Sequence, residues 1–252
     1  MPSNLPLLGK TVVLTGTSKT VSVIEDIKLY GGNGLVYPLI ETREIIDSLD
    51  AIQLEAACQF DWLIFTSQNA VEAFHTKMKR LNNPNFKVQG KIAAVGSKTA
   101  SALEGIGFEV SFMPSTYSAD VFVREFPLIA RDSPNCLFLR GSKARDTLKK
   151  GLPFLVEEWT VYETVEKYDN VKPLIDVICQ QDDVTIIFAS PSAVNVFAQH
   201  VAPHIDLGKV LIATIGHVTT AALEGYGVNV HIQPKEYTMQ AVLAQLLKLE
   251  EI

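Results

Sequence analysis

The chain is built twice over from one pattern, and that repeat limits its folds more tightly than any single motif. Asp61-Trp-Leu-Ile-Phe-Thr-Ser-Gln-Asn-Ala-Val-Glu-Ala-Phe returns as Val184-Thr-Ile-Ile-Phe-Ala-Ser-Pro-Ser-Ala-Val-Asn-Val-Phe. Lys91-Ile-Ala-Ala-Val-Gly-Ser-Lys-Thr-Ala-Ser-Ala-Leu-Glu-Gly-Ile-Gly answers to Val210-Leu-Ile-Ala-Thr-Ile-Gly-His-Val-Thr-Thr-Ala-Ala-Leu-Glu-Gly-Tyr-Gly, and Val13-Leu-Thr-Gly-Thr-Ser-Lys more weakly to Phe138-Leu-Arg-Gly-Ser-Lys. The offsets, read at Ser67/Ser190, Gly96/Gly216 and Gly16/Gly141, are 123, 120 and 125 residues. A period this long exceeds that of a solenoid and implies two copies of one small domain.

Within each copy, short apolar β-branched runs alternate with stretches of helical period. The strand candidates are Thr11–Thr15, Leu35–Ile40, Trp62–Thr66, Ile92–Val95 and Val110–Met113, then Cys136–Arg140, Trp159–Tyr162, Thr185–Ala189, Val210–Ile215 and Val228–Ile232. Helices are expected over Asn69–Lys79, Thr99–Gly105, Ser192–His200 and Thr219–Gly225. This alternation predicts an α/β fold with mostly parallel sheets and helices on both faces, each copy the size of a flavodoxin-like or Rossmann-like unit. Leu35–Ile40 and Trp159–Glu163 hold equivalent places in the repeat, and Pro38 makes the first an edge or linking strand rather than a central one.

Similar residues recur where each strand should turn into a helix: Gly16-Thr-Ser-Lys, Ser67-Gln-Asn, Gly96-Ser-Lys-Thr, Gly141-Ser-Lys-Ala-Arg, Ser190-Pro-Ser and Gly216-His-Val-Thr-Thr. Such junctions lie at the carboxyl ends of the strands, where open α/β sheets bind ligands. Helix starts offer unpaired N–H groups and the positive end of the helix dipole, glycine lets a ligand approach, and Ser or Thr adds a hydroxyl. Several anion-receptive starts are therefore expected, with Lys19, Lys98, Lys143 and Arg145 beside them. Taken singly, Ser67, Ser97 and Ser190 are also ordinary N-cap residues, with Pro191 at a position helices favour for proline.

Composition removes several function classes. A formal net charge of −6 argues against a general nucleic-acid or anionic-membrane surface, so an anionic ligand must be met by local groups. No segment has the unbroken apolar length of a membrane span, and Met1–Pro6 lacks the start of a secretory signal, so a cytoplasmic protein is expected. Cys58, Cys136 and Cys179 lack metal or redox spacing and read as small buried hydrophobes. His75, His200, His204, His217 and His231 are scattered; His200 and His204 have helical spacing, but Pro203 between them argues against a metal pair and for helix-surface histidines. Gly31-Gly-Asn-Gly ends a helix rather than opening one, and no Walker, nucleophile-elbow or zinc pattern is present. Neither a cofactor nor a metal is expected.

Ile64-Phe-Thr-Ser-Gln-Asn-Ala-Val, Ala94-Val-Gly-Ser-Lys-Thr-Ala, Thr160-Val-Tyr-Glu-Thr, Phe188-Ala-Ser-Pro-Ser-Ala-Val and Ile215-Gly-His-Val-Thr-Thr-Ala-Ala-Leu, in this order and spacing, resemble the uroporphyrinogen-III synthase family along essentially the whole chain. The resemblance implies two flavodoxin-like domains joined by a two-stranded connector, with the active site in the intervening cleft. It implies a discontinuous domain of residues 1–35 and 167–252, an inserted domain of residues 41–160, and crossing strands at 35–40 and 159–163. The implied reaction is the cofactor-free dehydration and cyclisation of hydroxymethylbilane, a linear tetrapyrrole with eight carboxylates. The terminal ring is inverted on the way to uroporphyrinogen III, and functional coupling to hydroxymethylbilane synthase would follow. A monomer suffices for this.

Tyr162 matches the tyrosine that the family uses to assist departure of the hydroxyl, and a phenol is protonated at neutral pH. The resemblance and the junctions together make Ser67, Asn69, Ser97, Lys98, Thr99, Lys143, Arg145, Ser190, Ser192 and Thr219 the substrate-binding candidates. Two departures stand out: Val218 replaces a threonine common in the family, and Gly16 replaces an arginine, for which Lys19 or Arg145 would have to compensate. Two other classes fit the same architecture. One is a cytosolic two-lobed binding protein or sensor for an anionic small molecule, the other a two-domain sugar transferase, for which a nucleotide-diphosphate motif is missing.

Overall fold

The computed structural model describes residues 5–16, 21–82, 87–130 and 133–250. In chain order the elements are β1 (Thr11–Leu14), α1 (Val21–Leu29), β2 (Asn33–Val36), β3 (Ile40–Glu44), α2 (Asp50–Ala57), β4 (Trp62–Phe65), α3 (Gln68–Leu81), β5 (Lys91–Ala94) and α4 (Ser97–Glu104). They continue as α5 (Ala119–Ala130), β6 (Cys136–Gly141), α6 (Thr147–Gly151), β7 (Val156–Glu166), α7 (Val171–Gln180), β8 (Val184–Phe188), α8 (Pro191–His200), β9 (Val210–Thr214), α9 (His217–Gly225) and α10 (Met239–Glu250). None of the described helices is long and apolar enough to cross a membrane.

The chain divides into two compact units, one of residues 1–41 with 165–252, the other of residues 42–164. The first holds a sheet of order β2-β1-β8-β9 and the second a sheet of order β3-β7-β6-β4-β5. The pairs of β1 with β2 and β8, β8 with β9, β4 with β5 and β6, and β6 with β7 are all parallel. Under the sequence repeat β2-β1-β8-β9 corresponds strand for strand to β7-β6-β4-β5, so the duplication seen in the residues is a duplication of topology.

Each sheet is apolar on both faces because side chains alternate along a strand and helices cover both sides. In the first unit Val13, Ile186 and Ile212 enter one core cluster with α7, α8 and α9, while Val12, Leu14, Ile187 and Ala213 enter another with α1 and α10. In the second, Leu63, Phe65, Leu137 and Leu139 pack with α2, α3 and α4, and Trp62, Ile64 and Phe138 with α5 and α6. Phe122 and Phe126 stack at 4.7 Å, and Trp62 meets Phe126 edge-on at 4.9 Å. Burying such a side chain stabilises the fold by roughly 1.5–3 kcal/mol.

A buried ion pair binds the second unit together. Lys77, 0% exposed on α3, donates to both oxygens of Asp50 at 2.7 and 2.8 Å and to the Ile45 carbonyl. Arg80 bridges Asp50 and Glu44, and the Lys77 ammonium lies 5.6 Å from the centre of the Trp159 ring. All three ammonium protons thus have acceptors, which a buried charge requires.

Several expectations are corrected. Leu35–Ile40 is not one strand: Leu35 and Val36 close β2 opposite Val13 and Leu14, Ile40 opens β3, and Pro38, lacking an N–H, interrupts the ladder. Val110–Met113 and Val228–Ile232 shrink to single bridges at Phe112 and Ile232. Near the second, the His231 imidazole Nδ1 takes the Ile212 N–H that a longer ladder would give to a carbonyl. His231 consequently lies at the edge of the sheet. Among the cysteines only Cys136 is fully buried, and burial, helped by the nearby Asp61 charge, pushes its thiol up to about 12; Cys58 is half-buried and Cys179 exposed.

Candidate active site

The carboxyl edge of the second unit's sheet is where residues with usable chemistry meet. β4 ends at Phe65, and Ser67 follows in extended backbone as the N-cap of α3, its Oγ accepting from the Ala70 N–H at 3.2 Å. β6 ends at Gly141, beside β4 in the same sheet. On its other side β7 brings up Tyr162, whose hydroxyl lies 3.1 Å from Ser67 Oγ. Ser142 then ties the turn to β7, donating its N–H to the Tyr162 carbonyl at 2.9 Å.

The register of β7 on β6 slips here. Arg140 pairs with Thr160 but Gly141 pairs with Tyr162, so Val161 is the extra residue of a bulge. Bulges re-aim side chains and recur beside functional sites. The Tyr162 ring lies so close over Gly141 that a methyl group there would sit 2.4 Å from its Cζ and 2.6 Å from its hydroxyl oxygen. Half-buried Tyr162 packs partly on the cluster containing Trp159 and Val161 and keeps one side open. A cavity of about 170 Å³ opens beside it, lined among others by Thr42, Arg43, Asn69, Glu72 and Thr76.

Chemically, Ser67 is already an acceptor for the helix start, so its own proton is available for the phenol oxygen. Either hydroxyl can be the donor in that contact, and with Ser67 donating the Tyr162 proton is left for a ligand. The start of α3, with its partial positive charge, stands behind the serine. Such a pair can act as an acid backed by a group that steadies its conjugate base.

The other candidates divide sharply. Tyr162, Ser67 and Asn69 come together at this edge. Ser97 and Lys98 are exposed at the start of α4 on the neighbouring strand end. Ser97 is not the N-cap: Gly96 is, its carbonyl accepting from Thr99 and Ala100, because the extended backbone ends one residue earlier. Lys143 and Arg145 are exposed in a turn after β6, and the junction there does not start a helix until Thr147. Lys19 lies outside the described residues.

In the first unit Ser190 caps α8, accepting from Ser192 N–H at 3.2 Å, and both serines are half-buried at the strand edge. Thr99 and Thr219 hold matching places in the repeat and are only 5% and 3% exposed. Each is buried in the first turn of its helix, with its N–H bonded to the carbonyl of the glycine three residues earlier.

Two tyrosines escaped the sequence reading. Tyr117 and Tyr237 are 59% and 56% exposed and lie against Gly96 and Gly216, the N-caps of α4 and α9. Tyr237 bonds His217 Nδ1 at 2.8 Å, and a methyl group at Gly216 would meet its ring at 2.9 Å. The space expected for a ligand at that glycine is thus filled by the protein itself. The signal was present in the sequence: at an offset of 120 residues Pro114, Tyr117 and Ser118 match Pro234, Tyr237 and Thr238. Among the described residues no group of His, Cys, Asp or Glu is arranged to hold a metal ion.

The sequence model of the family described as uroporphyrinogen-III synthase HemD matches residues 22–244. The uroporphyrinogen-III synthase of Chlorobaculum parvum is 25% identical over 95% of this chain and 100% of that protein. That of Synechococcus elongatus is 26% identical over 94% of each. Among solved structures, the Helicobacter pylori uroporphyrinogen-III synthetase superposes with a TM-score of 0.67 at 22% identity, covering 95% of this chain and 99% of that one. A Thermus thermophilus uroporphyrinogen III synthase variant gives 0.66 at 16% identity, over 96% and 100%. At these identities the two structures speak for the fold.

Proposed function

This chain belongs to the uroporphyrinogen-III synthase family, and from that premise we propose that Tyr162, backed by Ser67, is the acid that releases water from hydroxymethylbilane. The 3.1 Å contact between their hydroxyls is the observation that carries the assignment. The protein is a cyclising lyase of tetrapyrrole biosynthesis, its product uroporphyrinogen III.

In the reading we favour, Tyr162 donates its proton to the departing hydroxyl as the carbon–oxygen bond breaks, and water leaves. The electron pair left on the phenol oxygen is held by the Ser67 O–H and the positive end of α3. The electrophilic azafulvene so formed is attacked by the far ring of the same molecule. That ring attacks through its already substituted α-carbon to give a spiro intermediate. The original bond from this carbon to its methylene bridge then breaks, releasing a second azafulvene. The free α-carbon of the inverted ring bonds to that methylene, and the proton it loses can return to the Tyr162 oxygen. Both reactive ends belong to one chain of pyrroles, so positioning supplies the largest share of the acceleration.

Within each unit the strand edges offer groups suited to the substrate's carboxylates. Ser67, Asn69, Ser97, Ser190 and Ser192, with the first-turn N–H groups behind them, are the neutral contacts, and Lys98, Lys143 and Arg145 the charged ones. Charge-assisted hydrogen bonds are about twice as strong as neutral ones, so a few exposed cations serve a chain of net charge −6. Thr99 and Thr219 are packing residues. The order β2-β1-β8-β9, repeated as β7-β6-β4-β5, supports reading each unit as flavodoxin-like, whose strand order is 2-1-3-4 before the last strand.

The test couples the protein to hydroxymethylbilane synthase and porphobilinogen, oxidises the products and separates the uroporphyrin isomers. Predominance of isomer III over the isomer I formed spontaneously is the expected result. Isomer I alone, from a folded sample that binds the tetrapyrrole, would make the chain a receptor rather than a synthase.

A further inference from the structure

Tyr162 stands where it does because of a glycine two strand-ends away in sequence. β6 and β7 pair in simple parallel register from Cys136 to Arg140, and continued register would set Val161 against Gly141. The bulge inserts Val161 and sets Tyr162 there instead. Its ring comes so near that any side chain on residue 141 would overlap both Cζ and the hydroxyl oxygen, at 2.4 and 2.6 Å. Real side chains do not approach one another so closely, and it is the ring, with a cavity on its open side, that must give way. Residue 141 is itself buried in β6, bonded through its carbonyl to the Ala144 N–H, and Tyr162 is anchored through its carbonyl by Ser142.

We propose that Gly141 is a positioning residue: the bare Cα of Gly141, with the Arg140/Gly141 bulge, is what lets the Tyr162 hydroxyl lie against Ser67 and face the ligand. This rests on the reading of Tyr162 as the acid. The backbone itself does not call for glycine here, since Gly141 is not among the described glycines with positive φ. Its requirement is steric and has one cause, the phenol ring. An alanine would push the ring off its seat, lengthen the contact with Ser67, and leave the phenol without the group that steadies its anion.

The experiment compares wild-type protein with Gly141→Ala, Tyr162→Phe and the double variant, each labelled with 3-fluorotyrosine. The Tyr162 resonance is identified by its disappearance in Tyr162→Phe. In Gly141→Ala that resonance should shift while the other six tyrosines stay in place. Formation of isomer III should fall by about as much as in Tyr162→Phe, roughly tenfold or more, and the double variant should lose nothing further. An unmoved resonance, or losses that multiply in the double variant, would overturn the proposal.

Should Gly141→Ala melt too low to assay, a thermal cycle reads the contact directly. The drop in melting temperature caused by Gly141→Ala should be at least halved when Tyr162 is also Ala, since the overlap is then gone. An equal drop in both backgrounds would show that the ring is not what the glycine accommodates. Normal turnover in Tyr162→Phe, with the resonance still displaced in Gly141→Ala, would keep the seat and remove the acid, separating the two readings.

Discussion

The role proposed for the Tyr162 phenol depends on its neighbours, and the contributions of those neighbours can be measured one at a time. Tyr162→Phe keeps the ring on its glycine seat and removes only the proton. Isomer III formation should slow roughly tenfold or more, a conservative floor beside the ~10²–10⁴-fold that a positioned acid contributes, with the melting temperature unchanged. Near-normal isomer III output from that variant would remove the assignment. Ser67→Gly is the sharper probe of the supporting hydroxyl, because glycine at an N-cap costs only about a few tenths of a kcal/mol in helix stability. It should lower the turnover number while the melting curve stays in place; an unaltered rate would mean that the serine caps its helix and does nothing more. Tyr162 itself was legible in the sequence, through the Thr160-Val-Tyr-Glu-Thr match. Its seat was not, because a register slip between β6 and β7 is a property of two strands together and leaves no mark on either. Thr99 and Thr219 erred the other way: hydroxyls at a helix start read as binding groups until their burial is seen.

Helices and strands raise different questions, above all how a lysine and an aspartate can be buried at the join of α2 and α3. Burial by itself would raise the Asp50 carboxyl, but hydrogen bonds from Lys77, the Asp47 N–H and Arg80, with the Lys77 charge, outweigh it and hold the group below the usual carboxylate range. A depressed value in the folded state means that this carboxylate contributes stability above its unfolded value of about 3.9, and that the contribution is lost as pH falls through the folded value. Asp50→Asn should therefore flatten the acid side of the stability profile below about pH 4. At neutral pH it should cost roughly 3–5 kcal/mol, because the buried Lys77 is left without its principal partner. Urea titrations at several pH values give both numbers, and identical acid limbs for the two proteins would contradict the assignment. At this scale the sequence was informative where local pattern and packing agree. The runs at Thr11, Trp62, Cys136 and Thr185 became central strands because both faces are apolar. The runs at Val110 and Val228 carry the same residue types, yet they pair through one bridge each, since pairing length depends on the partner strand.

The first unit takes β1 and β2 from one end of the chain and β8 and β9 from the other, with residues 42–164 folded in between. Removing residues 1–36 would delete two of its four strands, including β1, which pairs on both edges. We expect such a truncation to abolish amide protection in β8 and β9 by hydrogen exchange while β4 and β6 remain protected. Persistent protection in β8 would mean that the later segment holds a sheet by itself. The same discontinuity sets a timetable during synthesis. Thr15 Oγ1 donates to the Ile187 carbonyl, and 172 residues separate the two. At roughly 5–20 residues per second a ribosome needs roughly 10–35 s to deliver the second after the first. Through that interval Val12, Val13 and Leu14 have emerged without β8, while the whole of residues 42–164 passes out and can complete its own sheet. The nascent chain thus carries a finished body and a waiting strand, and its exposure to chaperones and to mispairing is concentrated in those few apolar residues near the start.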